Sequence, residues 1–247
     1  MEQLKKIVLE APDGMYYTTT QGENGELIIR LVPNSSEKSQ DNAKFFTQIT
    51  AEDWEKVKNW LAKQQGKTKN EKIFLARVKD ALKAVNYEYW IANLEPSVTD
   101  GKIYYAEGNA VGVGFSCNQW NQMAEEYAPE RLSRLSNEYE LYIWYALRIV
   151  NGLWTLDYVA NDSSSAGNYR NAHEATHSME KTGARKCGGF CDGQGNSYKI
   201  VTREGGYALV GGSYNIYGDD CPVADVNYFD YPNDIQYNSS GVLVLTK

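Results

Sequence analysis

Residues 213–240 read SYNIYGDDCPVADVNYFDYPNDIQYNSS, and the rest of the chain is best understood outward from them. Five Tyr, four Asn, five Asp and three Ser fill 17 of these 28 positions, without one Lys, Arg or Glu. Low hydrophobicity with negative charge is a composition of disordered segments. The flanks argue against disorder: Val210 before the stretch and Val242–Leu245 after it read as core strands, so the loops between them are anchored. Tyr, Asn, Ser and Gly are also what binding paratopes use, rigid aromatic area beside adaptable hydrogen bonding. The stretch therefore reads as ligand-binding loops on a folded platform, with ordinary irregular surface loops as the alternative.

The composition of all 247 residues agrees with a folded protein. Hydrophobic residues make up 42% and charged residues 23%, inside the globular range, which excludes fibrous, disordered and membrane-bundle classes. Tyrosine dominates the aromatics, 19 against six Phe and six Trp, so most aromatic surface carries a hydroxyl suited to wet contacts. A net charge of −7 disfavours phosphate-backbone binding, so no nucleic-acid partner is expected. The first residues, MEQLKKIVLEAPDG, lack an apolar run long enough for a secretory signal, and no window approaches a membrane span. The expectation is synthesis in a cytoplasm without membrane insertion, with later display on a virion or an exported surface. Of four cysteines, Cys187 and Cys191 stand in C-G-G-F-C, neither a redox motif nor a paired zinc knuckle. Free thiols are expected for these and for Cys117 and Cys221, with a metal site as the lesser reading.

Organisation follows from periodicity. Met15 to Val32 reads as a hairpin, MYYTTT and ELIIRLV about a Gly- and Asn-rich turn, and a polar segment follows over Asn34–Asn42. Thr50-Ala-Glu-Asp resembles a capping box opening a helix with Trp54, Val57 and Leu61 on one face. After the basic linker GKTKNEK a second helix places Phe74, Val78, Leu82 and Val85 at helical spacing. These elements suggest a small α+β unit over residues 1–85, serving attachment or oligomerisation, ahead of a second domain over 86–247. In that domain YEYWIANLEP and the glycine-interrupted KIYYAEGNAVGVGF read as strands, and Cys117–Tyr127 and Glu138–Val150 as helices, the latter capped by Ser136 or Asn137. Short strands follow at KIVT, YALVGGS and VLVLT. The fold class is α+β.

Several of these segments, in order, resemble one family. Arg134-Leu-Ser-Asn-Glu-Tyr-Glu140 is similar to the Arg-Leu-Pro-Thr-Glu-x-Glu segment that opens the main helix of formylglycine-generating-enzyme-like domains. Asp192-Gly-Gln-Gly-Asn196 resembles their Asp-x-x-Gly-Asn turn, and Gly211-Gly-Ser-Tyr214 their Gly-Gly-Ser-Trp/Tyr. Cys221 and Ala224 fall where Cys-Arg-x-Ala stands, and Gly241-Val-Leu-Val where the closing Gly-Phe-Arg strand stands. The resemblance implies a C-type-lectin-like fold over residues 86–247, with mixed, twisted antiparallel sheets, two helices and long irregular loops. The departures bear on activity. The copper-dependent oxidase of this family uses two cysteines five apart, and here Ile216 stands at the first position with only Cys221 left. The related sulfoxide synthases use three histidines, and this chain has two; Pro222 and Leu243 replace the family arginines. No catalytic residue, metal or cofactor is therefore expected.

A non-catalytic branch of the same fold fits better: the variable proteins of diversity-generating retroelements of bacteria and their phages. Their C-terminal loops are rewritten by adenine-directed mutagenesis, which converts Asn codons into Asn, Asp, Tyr and Ser while the fold stays fixed. Tyr214–Ser239 resembles such a region in place and composition, and KTGARKCGGF and SYKIV are similar to gut-phage versions. The resemblance implies a receptor-binding or surface-display protein, with a cell-surface protein or glycan as partner and a homo-oligomer, such as a trimer, allowed. Candidate contact residues are Tyr214, Asn215, Tyr217, Asp219, Asp220, Asp225, Asn227, Tyr228, Asp230, Tyr231, Asn233, Tyr237 and Asn238. Two rivals stand beside this reading. His173-Glu-Ala-Thr-His177 matches H-E-x-x-H, in which two histidines one turn apart bind zinc and the glutamate activates water. Its polar, turn-rich surroundings do not suit the buried helix that the motif requires. The other rival is a structural virion protein that uses the lectin fold for assembly.

Overall fold

The structure, a computed structural model, describes residues 15–21, 27–33, 45–165, 168–171, 178–182, 184, 186–187, 190–191, 195–229 and 231–246. The chain forms two compact units, residues 1–44 and 45–247. In the first, β1 (Met15–Gln21) and β2 (Leu27–Pro33) form the expected hairpin, in register from Met15 opposite Pro33 to Gln21 opposite Leu27. The polar segment Asn34–Asn42 lies outside the described residues.

The second unit starts at Phe45 rather than after residue 85. The two amphipathic helices expected in a separate N-terminal module, α1 (Ala51–Leu61) and α2 (Lys69–Ala84), belong to the larger unit. The physical reason lies in their apolar faces. Trp54, Val57, Phe74, Val78 and Ala81 pack in one core with residues of the long helix α4 (Glu138–Val150), and neither short helix buries that surface alone. Residues Glu140–Arg148 of α4 are all buried, so this helix is covered all round instead of lying amphipathically on the surface.

Sequence-local chemistry sets the helix starts. Thr50 with Asp53, Thr68 with Glu71, Ser116 with Gln119 and Asn137 with Glu140 form reciprocal capping boxes at α1, α2, α3 (Cys117–Tyr127) and α4. Glu140 does more than cap. Arg134 forks onto its carboxylate with bonds of 2.5 and 2.8 Å, which makes this carboxylate the centre of the Arg134–Glu140 segment. A short helix, α5 (Leu156–Ala160), follows α4.

Two four-stranded sheets complete the unit. One runs β3 (Phe46–Ile49), β4 (Tyr89–Ala92), β14 (Leu243–Leu245), β7 (Arg134–Leu135), antiparallel throughout. The other runs β12 (Val226–Phe229), β11 (Gly206–Val210), β10 (Tyr198–Arg203), β13 (Ser239–Gly241), with only the last pair parallel. Val242 alone separates β13 from β14, and its carbonyl accepts from Ser136 N–H at 2.7 Å. The chain thus passes from one sheet to the other within seven residues, stitching both to the end of the Tyr-rich stretch. Short ladders pair β5 (Ser97–Thr99) with β6 (Lys102–Tyr104) and β8 (Lys186–Cys187) with β9 (Phe190–Cys191).

The expected long strand KIYYAEGNAVGVGF is corrected to Lys102–Tyr104 alone. Asp100 and Gly101, both with positive φ, make the two-residue turn of a β5–β6 hairpin, which the Asp-Gly pair signals by itself. Beyond it Gly108 and Gly114 take φ of +83°, which ends any pleated run. The mixed sheets and helices place the protein in the α+β class.

The buried tyrosines impose an alkaline limit. Desolvation pushes Tyr89, Tyr105, Tyr142, Tyr145 and Tyr169 up, and the Cys117 thiol up to about 11. A raised folded-state pKa on an acid stabilises the fold fully below the unfolded value and loses that stabilisation as pH rises past it. Stability should therefore fall from about pH 9–10 upward, where the unfolded thiol and phenols titrate. In a spectrophotometric phenol titration, a part of the absorbance change should arrive only with cooperative unfolding followed by circular dichroism. Smooth titration of all 19 tyrosines without unfolding would contradict this burial.

Candidate binding surface

The Tyr-rich stretch folds as two limbs on fixed supports. In the first, Ile216 carbonyl accepts from Arg170 N–H at 2.9 Å and Gly218 carbonyl from Ser163 N–H at 3.0 Å. The Asn171 amide closes this limb twice, accepting from Gly218 N–H at 2.8 Å and donating to Asp219 at 2.9 Å. Arg170 lies 5.1 Å from the ring centroid of Tyr217. Gly218 runs so close to residues 163–164 that a Cβ there would stand 2.5 Å from Ser164 N. Gly218→Ala should therefore displace this limb, costing roughly 1–3 kcal/mol by overpacking. Amide exchange should show the loss concentrated in residues 163–171 and 213–221, and a wild-type exchange pattern would refute the close approach.

Between the limbs, Pro222, Val223 and Ala224 dive into the core. Val223 N–H donates to Ser163 Oγ at 2.9 Å, Ala224 N–H to Val159 carbonyl at 3.0 Å, and Arg77 reaches Ala224 carbonyl at 3.3 Å. The Cys221 thiol lies 3.9 Å from Tyr198 Oη and 3.6 Å from the Asp225 carboxylate; burial, offset in part by Tyr198, pushes its pKa up.

The second limb begins as β12, the edge strand of its sheet, where Tyr228 lies under the Arg203 guanidinium at 3.8 Å. The following turn is held from α3. Asn118 N–H donates to Pro232 carbonyl at 3.1 Å, its amide donates to Asn233 at 2.8 Å, and its Oδ1 accepts from Tyr207 at 3.0 Å. Gln236 exchanges backbone bonds with Gly114 and Phe115. Asn238 closes the loop, its carbonyl accepting from Tyr198 N–H at 2.9 Å and its amide donating to Ser213 Oγ at 3.4 Å.

Exposure concentrates here. Of nine exposed large apolar side chains among the described residues, five are Tyr217, Tyr228, Tyr231, Ile235 and Tyr237, the last 75% exposed. Asn215, Asp219, Asp220, Asn227 and Asn233 are exposed beside them, and Tyr214, Asp225 and Asn238 are half-buried. Asp230 lies outside the described residues, as does the His173–His177 motif. Among the described residues no cluster of three His, Cys, Asp or Glu side chains is placed to hold a metal, and no helix is long and apolar enough to cross a membrane. The supports Arg170, Asn171, Arg203, Tyr207 and Asn118 carry no sequence signal, because each lies far along the chain from the loop it holds; Ile235 hid among polar neighbours.

Beneath the loops sits a buried polar knot. Glu95 accepts from Lys199 Nζ at 2.5 Å, from Ser197 N–H at 3.1 Å and from the Asn196 amide, and Ser197 Oγ meets Ser240 Oγ at 2.6 Å. Glu95 and Lys199 side chains are 1% and 6% exposed. This knot ties the start of β10 to β13 at the foot of both limbs. These features define an α+β protein with a Tyr-, Asn- and Asp-rich loop surface on a buried, hydrogen-bonded base. No protein-family model, curated protein or solved structure matches the chain.

Proposed function

We propose that the protein is a non-catalytic binding protein of C-type-lectin-like fold, whose loops over 213–240 form a replaceable contact surface of the retroelement variable-protein type. One observation carries the reading: the loops are held mainly through their backbones. Ile216, Gly218, Pro232, Gln236 and Asn238 carbonyls and the Val223, Ala224 and Gln236 amides make the anchoring bonds. The Tyr237 side chain projects into solvent, 75% exposed, so it can be exchanged at little cost to stability. On this reading the partner is a cell-surface protein or glycan, and the protein is displayed on a virion or exported surface, in an oligomer such as a trimer.

Two experiments test it. In the neighbouring DNA, a near-copy of the codons for residues 213–240, differing almost only at adenines and lying beside a reverse-transcriptase gene, is expected. A complete locus without one removes the retroelement assignment. Against panels of host cells and immobilised glycans, Tyr237→Ala should lose at least about tenfold in attachment, the range of aromatic hot spots. Its free energy of unfolding should stay within about 0.5 kcal/mol of wild type. Unchanged attachment, with particle yield reduced instead, would favour an assembly role.

A further inference from the structure

Away from the loops, α1 and α2 enclose an open groove of about 450 Å3. Its floor is Leu61, Ala62, Leu75, Ala76 and Leu82, and its rim carries Lys58, Lys72 and Lys79 with Gln64 and Gln65. The turn between the two helices comes close to two of these residues at Gly66, with φ of +67°, where a Cβ would stand 3.0 Å from Lys72 Cγ and 3.3 Å from Leu75 Cδ1.

The charge of this hairpin opposes that of the molecule. Residues 51–84 hold nine Lys and Arg against five Asp and Glu, on a chain of net charge −7. Lys58 is paired with Glu55 at 2.7 Å, but neither Lys72 nor Lys79 forms an ion pair among the described residues. Seven residues apart, Lys72 and Lys79 stand on one side of α2 with their Cα positions about 10 Å apart along the axis. Two carboxylates seven residues apart on another helix match that spacing, whereas the single headgroup of a fatty acid meets only one of them. Ala62 and Ala76 leave room for a backbone to approach, and Leu61, Leu75 and Leu82 supply apolar contact.

We propose that this groove is a docking site for an acidic amphipathic helix of a partner protein, two to three turns long, with leucine-type residues on the groove and Asp or Glu flanking them. Such a helix-in-groove mode takes specificity from the apolar anchors and partner choice from the flanking charges. The site is independent of the loop surface and stands whether or not the retroelement reading does.

The test uses the full chain and two synthetic helical peptides with leucines at i, i+3, i+4 and i+7, one flanked by Glu and one by Lys. By amide chemical-shift mapping, the Glu peptide should saturably shift groove residues of α1 and α2 and bind at least about tenfold more tightly than the Lys peptide, with the difference shrinking at 1 M salt. Lys72→Glu/Lys79→Glu should reverse the preference, and Leu61→Gln should weaken both peptides while helix content holds. Equal binding of the two peptides, shifts elsewhere on the surface, or a dimer of the protein that the double Glu variant dissociates would each overturn the proposal.

Discussion

Glu95→Ala should lower the stability of the larger unit by about 3–5 kcal/mol, because it leaves the Lys199 ammonium buried without its carboxylate. For a unit of this size each kcal/mol shifts the midpoint by roughly 2–4 °C, so a loss near 10 °C is expected. The cost exceeds that of an exposed ion pair such as Lys83–Asp80, where water takes over the work of the missing partner. Breaking the knot also frees Asn196 and Ser197, and through Ser240 the foot of the Tyr-rich loops. The double variant Glu95→Leu/Lys199→Met should recover much of the loss, since removing both charges removes the desolvation penalty. Chemical denaturation of the single and double variants checks both statements. A Glu95→Ala protein within about 1 kcal/mol of wild type would show that Lys199 is not left as an uncompensated buried charge.

Trp120→Ala should cost a similar 3–5 kcal/mol, the range for a fully buried aromatic. Trp120 fills the space over Gly241 and Gly112, where a Cβ would meet its ring at 2.8 and 3.2 Å, and packs edge-on to Phe115 at 5.8 Å. Phe115 in turn holds Gln236 through its backbone. The cavity therefore opens directly below the second limb. Increased amide exchange in residues 231–238 is expected together with the lower midpoint. Global destabilisation with unchanged local exchange there would mean that the limb does not depend on this core.

The two variants separate what each level of organisation contributes. Local rules were legible in the chain. Thr50 and Asn137 announced their helices by side chains three residues from their partners, and Cys117–Tyr127 and Glu138–Val150 fall where periodicity and caps put them. The β1–β2 hairpin and the strands around residues 200, 208 and 244 likewise follow from alternation and turn residues. The Asp100-Gly101 turn was equally local, but the glycines beyond it obscured where the short strand ended. What periodicity does not carry is the partner of an apolar face. The helices α1 and α2 look the same in sequence whether they close a small module or cover α4, and burial against α4, with the Arg77–Ala224 bond, assigns them to the larger unit.

The same division holds at the candidate surface. Composition by itself marked residues 213–240 as a candidate contact region, because Tyr, Asn and Asp together suit exposure better than burial. Only the tertiary structure decided which of these side chains face outward and which atoms hold the loops. Ser163, Asn171, Asn118 and Arg203 are brought to them from distant segments, and Glu95 reaches Lys199 across 104 positions of sequence. Hydrogen bonds over such separations leave no periodic trace, since they depend on where two sheets and a buried helix bring the chain back upon itself.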